Sequence, residues 1–588
     1  SFASFAFFAL RALTLKSLLA GGLRAPAGFS WAQAAVALAI AAFLLVFLIV
    51  PVLTVIYVAF TEPQGGFTLL HFGSFFGLSL MRESFWNSLY VGLWSVAIAT
   101  LIAVPLAYFT VRFEFRGALV IQTLGVLPLI MPPFVGAVAM QLIFGRSGSV
   151  NLLLNEWFGL TVPFMDGLNG VIFVEALHYF PFILMNLVVA LNNIDSSMEE
   201  SAQNLGASGL RLFRRIVFPL AMPGYVAGAA LVFIKVFDDL GTPLVLHQTN
   251  LLAPQAYLRI TSIGIEDPIG YVASVIMVIA SLLALWVSTW TMRGKDYATM
   301  QRGYSGLATR RLGPGQTVLA YGWIVLVLLV VLAPHIGILL LSLAKVWSFS
   351  VLPDAYTLDH YATVFRDGPH MIWNTALYCG IAATLDVVIA TAIAYLMLRT
   401  NVPGRNALDF TVTIALAIPG VVLGIGYLRT FKGIEIPFTG ELLTSSWILI
   451  ALAYTVRRLP YALRSCVAAL QQLHVSLEEA AENLGAPKRR TILRVVVPLM
   501  AGGMLAGFVT SFMTAAVELS TTLMLVSTQN DAPMSYGIYL YLQSAAGRGP
   551  GAALGILAVV LVAVGTYLSH RLLGSRATTA RDIQRMGA

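Results

Sequence analysis

Long apolar runs recur along the 588-residue chain, twelve in all, near residues 32–60, 86–112, 118–144, 169–191, 222–246, 269–292, 317–345, 371–398, 407–430, 446–470, 501–526 and 550–573. A helix needs roughly 20 apolar residues to cross about 30 Å of hydrocarbon. In lipid every backbone N–H and C=O must find its partner within the protein, which leaves helices as the natural fold for such runs. Composition agrees: 58% of the residues are hydrophobic and 11% are charged, against about 25% charged in soluble proteins. The sequence therefore predicts an all-α polytopic membrane protein. Cys379 and Cys466 lie far apart in apolar runs, which excludes a disulfide framework and argues against a metal or redox site.

Charges at the ends of the runs set the expected orientation. Arg112 and Arg116 follow the second run, and Arg399 and Arg405 the eighth. Arg211, Arg214 and Arg215 lie between runs four and five, and Lys488, Arg489, Arg490 and Arg494 between ten and eleven. The linker after run six and the C-terminal tail are basic, whereas the alternate loops carry Glu62, Asp166, Asp267, Asp354, Asp359 and Asp531. Basic loops stay in the cytoplasm, so both termini are expected there. The net charge of +8 then marks loop orientation and not nucleic-acid binding.

The two halves of the chain match. Asn87, Ala107-Tyr108, Arg112, Gly117 and Pro132 recur as Asn374, Ala394-Tyr395, Arg399, Gly404 and Pro419, at an offset of 287. Pro181, Gly206, Pro219 and Asp239 correspond to Pro460, Gly485, Pro498 and Glu518, at an offset of 279. An eight-residue excess near 145–168 accounts for the change. The expected architecture is twelve transmembrane helices in two six-helix repeats. An even number of spans per repeat relates them by a pseudo-twofold axis along the membrane normal. The domains are an extension at 1–30, repeats at 31–292 and 317–573, a linker at 293–316 and a tail at 574–588. The extension mixes Phe2, Phe5, Phe8, Leu13 and Leu19 with Arg11, Lys16 and Arg24, and reads as an interfacial amphipathic helix or a poorly ordered segment. It lacks the charged-then-apolar order of a signal peptide.

One polar phrase occurs twice between apolar runs. It reads Glu199-Glu200-Ser201-Ala202-Gln203-Asn204-Leu205-Gly206-Ala207 and then Glu478-Glu479-Ala480-Ala481-Glu482-Asn483-Leu484-Gly485-Ala486. Ser197 stands three residues before Glu200, and Ser476 three before Glu479, the spacing of a capping box. Gly206 and Gly485 suit the left-handed residue that ends a helix, and Pro487 suits the first turn of the next one. The small apolar faces Ala202 with Leu205, and Ala481 with Leu484, are shaped for a partner's groove. A single copy reads equally as an ordinary helical hairpin; two copies with the same turn and the same basic sequel point to one partner contacted twice.

With these residues the sequence resembles the permease subunits of ABC importers. Their signature is Glu-Ala-Ala, three residues, Gly, nine residues, then Ile-x-Leu-Pro. Glu479-Ala480-Ala481, Gly485 and Val495-x-Val497-Pro498 are similar to it, as are Glu200-Ser201-Ala202, Gly206 and Ile216-x-Phe218-Pro219, with Ser in place of the first Ala. The resemblance covers nearly the whole chain as two fused permease domains. It implies that Glu199, Glu200, Ala202, Leu205, Gly206, Glu478, Glu479, Ala481, Leu484 and Gly485 form coupling helices seated in two copies of an ABC ATPase subunit. The chain has no phosphate loop of its own, since Gly294-Lys295 precedes Asp296 and lacks the glycine frame. ATP and magnesium then belong to the partner, and this chain is expected to carry no cofactor and no enzymatic site. The resemblance also implies a periplasmic or lipid-anchored solute-binding protein and a bacterial inner-membrane location.

Ionisable residues at membrane depth are costly and usually face a cavity or one another. Arg457 and Arg458 lie about 11 residues into the tenth run, roughly 17 Å along a helix. Asp386 lies at similar depth in the eighth; Glu175 and His178 occupy the outer half of the fourth, and Lys235, Asp238, Asp239 and Glu518 lie toward the outer ends of the fifth and eleventh. Glu175, His178, Asp238, Asp239, Asp386, Arg457, Arg458 and Glu518 are the candidates for a translocation path or gate. The two arginines suit an anionic solute. The same residues also suit structural pairing, Asp386 with Arg457 or Lys235 with Asp238. No spacing of His, Cys, Asp or Glu reads as a metal site. Fused permeases of this appearance resemble the iron(III) importers and their relatives for phosphonates, sugar phosphates and thiamine. The resemblance places iron(III) first, with Asp239, Glu518, Tyr179 and Tyr454 as candidate path residues. A secondary transporter with two six-span halves is the competing class.

Overall fold

The computed structural model describes residues 31–292, 311–565 and 567, apart from residues 63, 115–116, 438 and 545. The expected extension at 1–30, most of the linker and the tail at 574–588 lie outside the described residues. Among the described residues ten helices are long and apolar enough to cross a membrane. They are Trp31–Ala59, Ser79–Arg112, Pro133–Phe158, Leu168–Asn192, Gly209–Asp238, Pro268–Thr291, Pro314–Leu343, Pro369–Arg399, Lys488–Ala516 and Arg548–Gly565. A bent pair, Arg405–Ala417 and Gly420–Thr430, turns through 108° and supplies an eleventh crossing if it counts as one. The expected tenth span is a 25-residue helix, Trp447–Gln471. Arg457, Arg458 and Arg464 make it too polar to face lipid, and it is held between neighbours instead.

Two expected spans are broken, at corresponding places. The run 118–144 divides into Ala118–Val126, a 3-10 turn Leu127–Ile130, and Pro133–Phe144. The run 407–430 divides into Arg405–Ile414, a 3-10 turn Ala415–Ala417, and Gly420–Thr430. Pro132 and Pro419 are the cause. Each lacks an N–H and disfavours the helical conformation in the residue before it, so Met131 and Ile418 are extended. The fifth and eleventh runs also divide, each into a long helix (Phe218–Asp238, Val497–Ala516) and a short one (Gly241–Val245, Ser520–Leu525). A π-turn precedes each long helix, Phe213–Val217 and Ile492–Val496. Pro219 and Pro498, just inside those helices, cannot donate to the preceding turn, and the wider turn accommodates the ring.

Packing repeats as well. Leu168–Asn192 lies between Ser79–Arg112 and Phe218–Asp238, and Trp447–Gln471 lies between Pro369–Arg399 and Val497–Ala516. Glycines let these helices approach. A Cβ on Gly224 would stand 2.5 Å from Ala190 Cβ, and one on Gly228 2.6 Å from Ile183 Cα. Gly503 and Gly507 meet Ala469 and Ala462 in the second half. Small residues four apart are the usual means of close helix contact in lipid, where no hydrophobic force drives helices together. The halves exchange contacts reciprocally: Val50–Ala59 packs on Gly420–Thr430, and Pro314–Leu343 on Pro133–Phe144.

Candidate functional site

The first copy of the repeated phrase folds as the helix Ser196–Asn204 and the second as Ser476–Asn483. Their starts differ from the expected capping box. Asp195 is the first N-cap, its Oδ1 accepting the Ser197 N–H at 2.9 Å. A carboxylate satisfies an orphan donor and the positive helix end together, which places Ser197 two positions inside the cap. Ser476 is already helical and bonds the His474 ring at 2.8 Å. The ends match the glycine reading, with φ of +86° at Gly206 and +85° at Gly485. The N–H of Ala207 donates to Ala202 O at 2.9 Å and that of Gly206 to Gln203 O at 2.8 Å. The N–H groups of Ala486 and Gly485 do the same to Ala481 O and Glu482 O, at 3.0 and 2.9 Å, so both turns are Schellman motifs. Pro487 takes the N-cap of the next helix, one residue before the expected position.

Each phrase helix has two faces. Leu205 and Leu484 are 90% and 89% exposed, at repeat-equivalent places in the polar phrase outside the apolar runs. Glu200 and Glu479 are exposed too, and Ala202 and Ala481 are half-buried. Glu199 and Glu478 face inward. Glu199 meets Arg112 at 2.7 Å, and Glu478 meets Arg399 at 2.6 Å.

Within the membrane helices, charges from both halves converge. Arg457 Nη2 lies 2.6 Å from Asp238 Oδ2, and its Nη1 lies 2.6 Å from Glu518 Oε1 and 2.8 Å from Thr521 Oγ1. Arg458 pairs with the other Glu518 oxygen. Asp238 Oδ1 accepts the Gly420 N–H at 2.5 Å, at the restart of the broken helix. Lys235 adds a positive charge within range of Glu518. The expected pairs do not form: Arg457 is held by Asp238 and Glu518, while Asp386 accepts from Ser511 Oγ. The reason is geometric. Asp238 and Glu518 end their helices beside the break at Pro419, where Arg457 also arrives, whereas Asp386 faces the middle of Val497–Ala516.

The repeat-equivalent acids Asp239 and Glu518 share a local task. Asp239 accepts the N–H groups of Gly241 and Thr242, each at 3.2 Å, and Glu518 accepts that of Thr521 at 3.2 Å. Each carboxylate caps the short helix after its long one. Only Glu518 also takes arginines, because the residues opposite Arg457 and Arg458 in the first half are His178 and Tyr179. Glu175 is fully buried beside Asp239 and Thr242. His178 lines a small cavity with His335, Met131 and Met140. The candidate path residues thus form a cross-half ion cluster, with Glu175 and Asp239 beside it within range of the shared neighbour Tyr179, and with Asp386 bonded to Ser511 and within range of Arg458.

Arg112, Arg399, Gly420 and Thr521 belong to these sites without standing out in the sequence. Arg112 and Arg399 read there only as markers of orientation. Their match at an offset of 287, alongside glutamates matched at 279, was the available signal.

The sequence matches the family described as binding-protein-dependent transport system inner membrane component over residues 99–297 and 387–579. It is 29% identical over 76% of its length to a ferric transport system permease protein of Actinobacillus pleuropneumoniae, spanning 65% of that protein. It is 29% identical over 75% of its length to a putative ferric transport system permease protein of Haemophilus influenzae, spanning 70%. A molybdenum transport system permease protein of Haemophilus influenzae is 32% identical over 34% of the chain, which spans 86% of it. The chain therefore spans about two thirds of the length of the ferric relatives.

Proposed function

The chain belongs to the binding-protein-dependent transport system inner membrane component family, and from that premise we propose that it is the fused permease of an ATP-driven importer. In this reading a binding protein delivers solute to the face remote from the phrase helices. Two ATPase subunits seat the phrase helices on the cytoplasmic side, and their closure drives alternating access. Trp447–Gln471 and the bent pair complete twelve crossings in two six-helix repeats. The ion cluster at Arg457 is the gate where the halves meet.

The observation that carries the proposal is the pair of phrase helices, with matching Schellman turns and leucines about nine-tenths exposed. A leucine so exposed at each of two repeat-equivalent tips fits two copies of one apolar groove. The test is co-purification of the chain with its ATPase, followed by uptake in proteoliposomes. Glu479→Lys, on the exposed face, is expected to weaken both. Normal association and uptake in that variant, or uptake driven by an ion gradient without ATP, overturns the proposal in favour of a secondary transporter.

Iron(III) is the solute this reading favours. It is supported by the names of the ferric relatives and by the carboxylates Glu175 and Asp239, which neighbour one another and pair with no arginine among the described residues. The arginine pair that suits an oxyanion such as molybdate, a phosphonate or a sugar phosphate carries carboxylate partners in this structure, which places that reading second. ATP-dependent uptake of radioactive iron(III), challenged with molybdate and phosphonate, separates the two.

A further inference from the structure

We propose that Arg112–Glu199 and Arg399–Glu478 are mechanical joints that carry movement of the phrase helices into the membrane helices, and that Glu199 and Glu478 are positioning residues and not ATPase contacts. The proposal rests on the docking of the phrase helices proposed above, but assigns these residues a different task within it.

The backbones of the phrase helices pack mainly on the start of the helix that follows each of them, at Gly209–Val217 and Lys488–Val496. A push on a phrase helix would therefore pass into that next helix alone, unless something ties it elsewhere. The arginines supply the tie. Arg112 stands in the last turn of Ser79–Arg112, and its Nη2 lies 2.7 Å from Glu199 Oε1 and 2.9 Å from Leu191 O, in the last turn of Leu168–Asn192. Arg399 ends Pro369–Arg399, with its Nε 2.6 Å from Glu478 Oε1. Its Nη2 reaches Leu470 O at 3.2 Å and Leu473 O at 2.6 Å, at the end of Trp447–Gln471. In each half one guanidinium thus joins three elements: its own helix, the carbonyl end of a neighbour and the phrase helix.

The joint has the properties transmission requires. Side-chain exposure is 6% and 9% in the first pair and 11% and 12% in the second, so water screens neither. The second joint is a charged hydrogen bond, Arg399 Nε to Glu478 Oε1 at 2.6 Å, which holds its partners to a narrow distance and direction, and the first is a close ion pair at 2.7 Å between buried groups, whereas an apolar contact is non-directional and slides. A cation also complements the carbonyl end of the helix it caps. Tyr395 adds a hydroxyl donor to Glu478 Oε2 at 3.3 Å. The same joint occurs in both halves at repeat-equivalent positions, while the outward Glu200 and Glu479 remain for a partner.

The test uses the full chain with its ATPase and binding protein in proteoliposomes. Glu199→Gln and Glu478→Gln keep the shape of the side chain and remove its charge. Together they are expected to leave ATPase co-purification at the wild-type ratio and basal hydrolysis in place. Solute moved per ATP should fall about tenfold, the size of change seen along coupling routes. The exchanged pair Arg399→Glu with Glu478→Arg should recover at least part of the second joint's share. Loss of ATPase association in the glutamine variant would make these residues docking contacts and overturn the proposal, as would an unchanged transport ratio. A second measurement covers poor folding of the exchanged pair. In a chain carrying Cys379→Ala and Cys466→Ala, a reducible bis-thiosulfonate cross-link between Arg399→Cys and Glu478→Cys, about as long as the two side chains it replaces, should support transport, because a joint stays closed through the cycle. Transport abolished by the cross-link and restored by its reduction would show a contact that must open, and would overturn the proposal. Failure of Glu479→Lys to disturb ATPase association would instead strike the docking reading and leave the joint's own readout separate.

Discussion

Arg457 is the residue on which the junction of the halves turns. It holds Asp238 of the first half and Glu518 of the second with one guanidinium, and both acids would otherwise be buried near like charge. Replacing a buried ion cluster wholesale by apolar residues is often neutral, but removing one partner leaves uncompensated charge, which costs about 3–5 kcal/mol. Arg457→Leu is therefore expected to lower thermal stability of the purified protein by that order, and Arg457→Lys to recover only part, since an ammonium cannot grip two carboxylates at once. Gly420→Ala is the complementary probe. A Cβ there would collide with Arg457 Nη1 and stand 2.7 Å from Thr521 Oγ1. The arginine head is pinned by its acids and cannot swing aside, so this added methyl should reduce stability and uptake in the same direction as Arg457→Leu. Equal melting temperatures for Gly420→Ala and wild type would show the cluster to be looser than its geometry.

At the scale of elements, the phrase helices and the glycine contacts obey different physics. No atom lies within 4 Å of a Cβ built on Gly206 or Gly485, so alanine there meets no clash and carries only the left-handed backbone penalty, about 1–2 kcal/mol. Gly485→Ala is expected to leave the membrane region folded while loosening the turn that presents Leu484. Gly485→Asn, which tolerates that backbone better, should be milder, and ATPase co-purification reads the difference. Leu205→Asp with Leu484→Asp should abolish association without changing melting, because both side chains already face outward. Gly228→Leu and Gly507→Leu act in the opposite sense. There the helices touch, and overpacking costs about 1–3 kcal/mol, so melting should fall while any complex that survives keeps its ATPase.

Across the whole molecule the halves are joined by contacts of different strength. Glu266, in a loop of the first half, bonds Arg429 and Lys432 of the second. The Arg429 hydrogen bond, then that of Lys432, holds the Glu266 carboxyl below the ordinary glutamate range. A depressed carboxyl stabilises above its unfolded pKa of about 4.3 and loses that contribution as pH falls through the folded value. The melting difference between wild type and Glu266→Gln should therefore be constant near neutrality and vanish in acid. It should be small, since exposed ion pairs contribute about 0–1 kcal/mol. A difference that grew in acid would contradict the sign. Most of the architecture was legible beforehand because lipid demands long apolar helices, and because prolines and glycines leave positional marks that survive in both halves. Asp195 and Ser197 are both good caps and only the path of the chain decides between them, while in the second copy Val475 takes the N-cap one residue before Ser476. The sequence offers Asp386 as one partner for Arg457, and the structure gives it Asp238 and Glu518 instead, because depth along a helix says nothing about which neighbour faces it.

By itself the sequence determined the helical membrane class, the two matching halves, the two phrase helices and the glycine turns that end them. These follow from local and periodic rules: apolar length, missing proline N–H groups and the backbone freedom of glycine. Only the tertiary structure decided which charges meet. Arg457 finds Asp238 across 219 residues, and Arg399 finds Glu478 across 79. Such partners are chosen by helix rotation and crossing, and by the breaks at Pro132 and Pro419 that bring helix ends inward. Those are set by the packing of the whole bundle, which no single stretch of sequence contains.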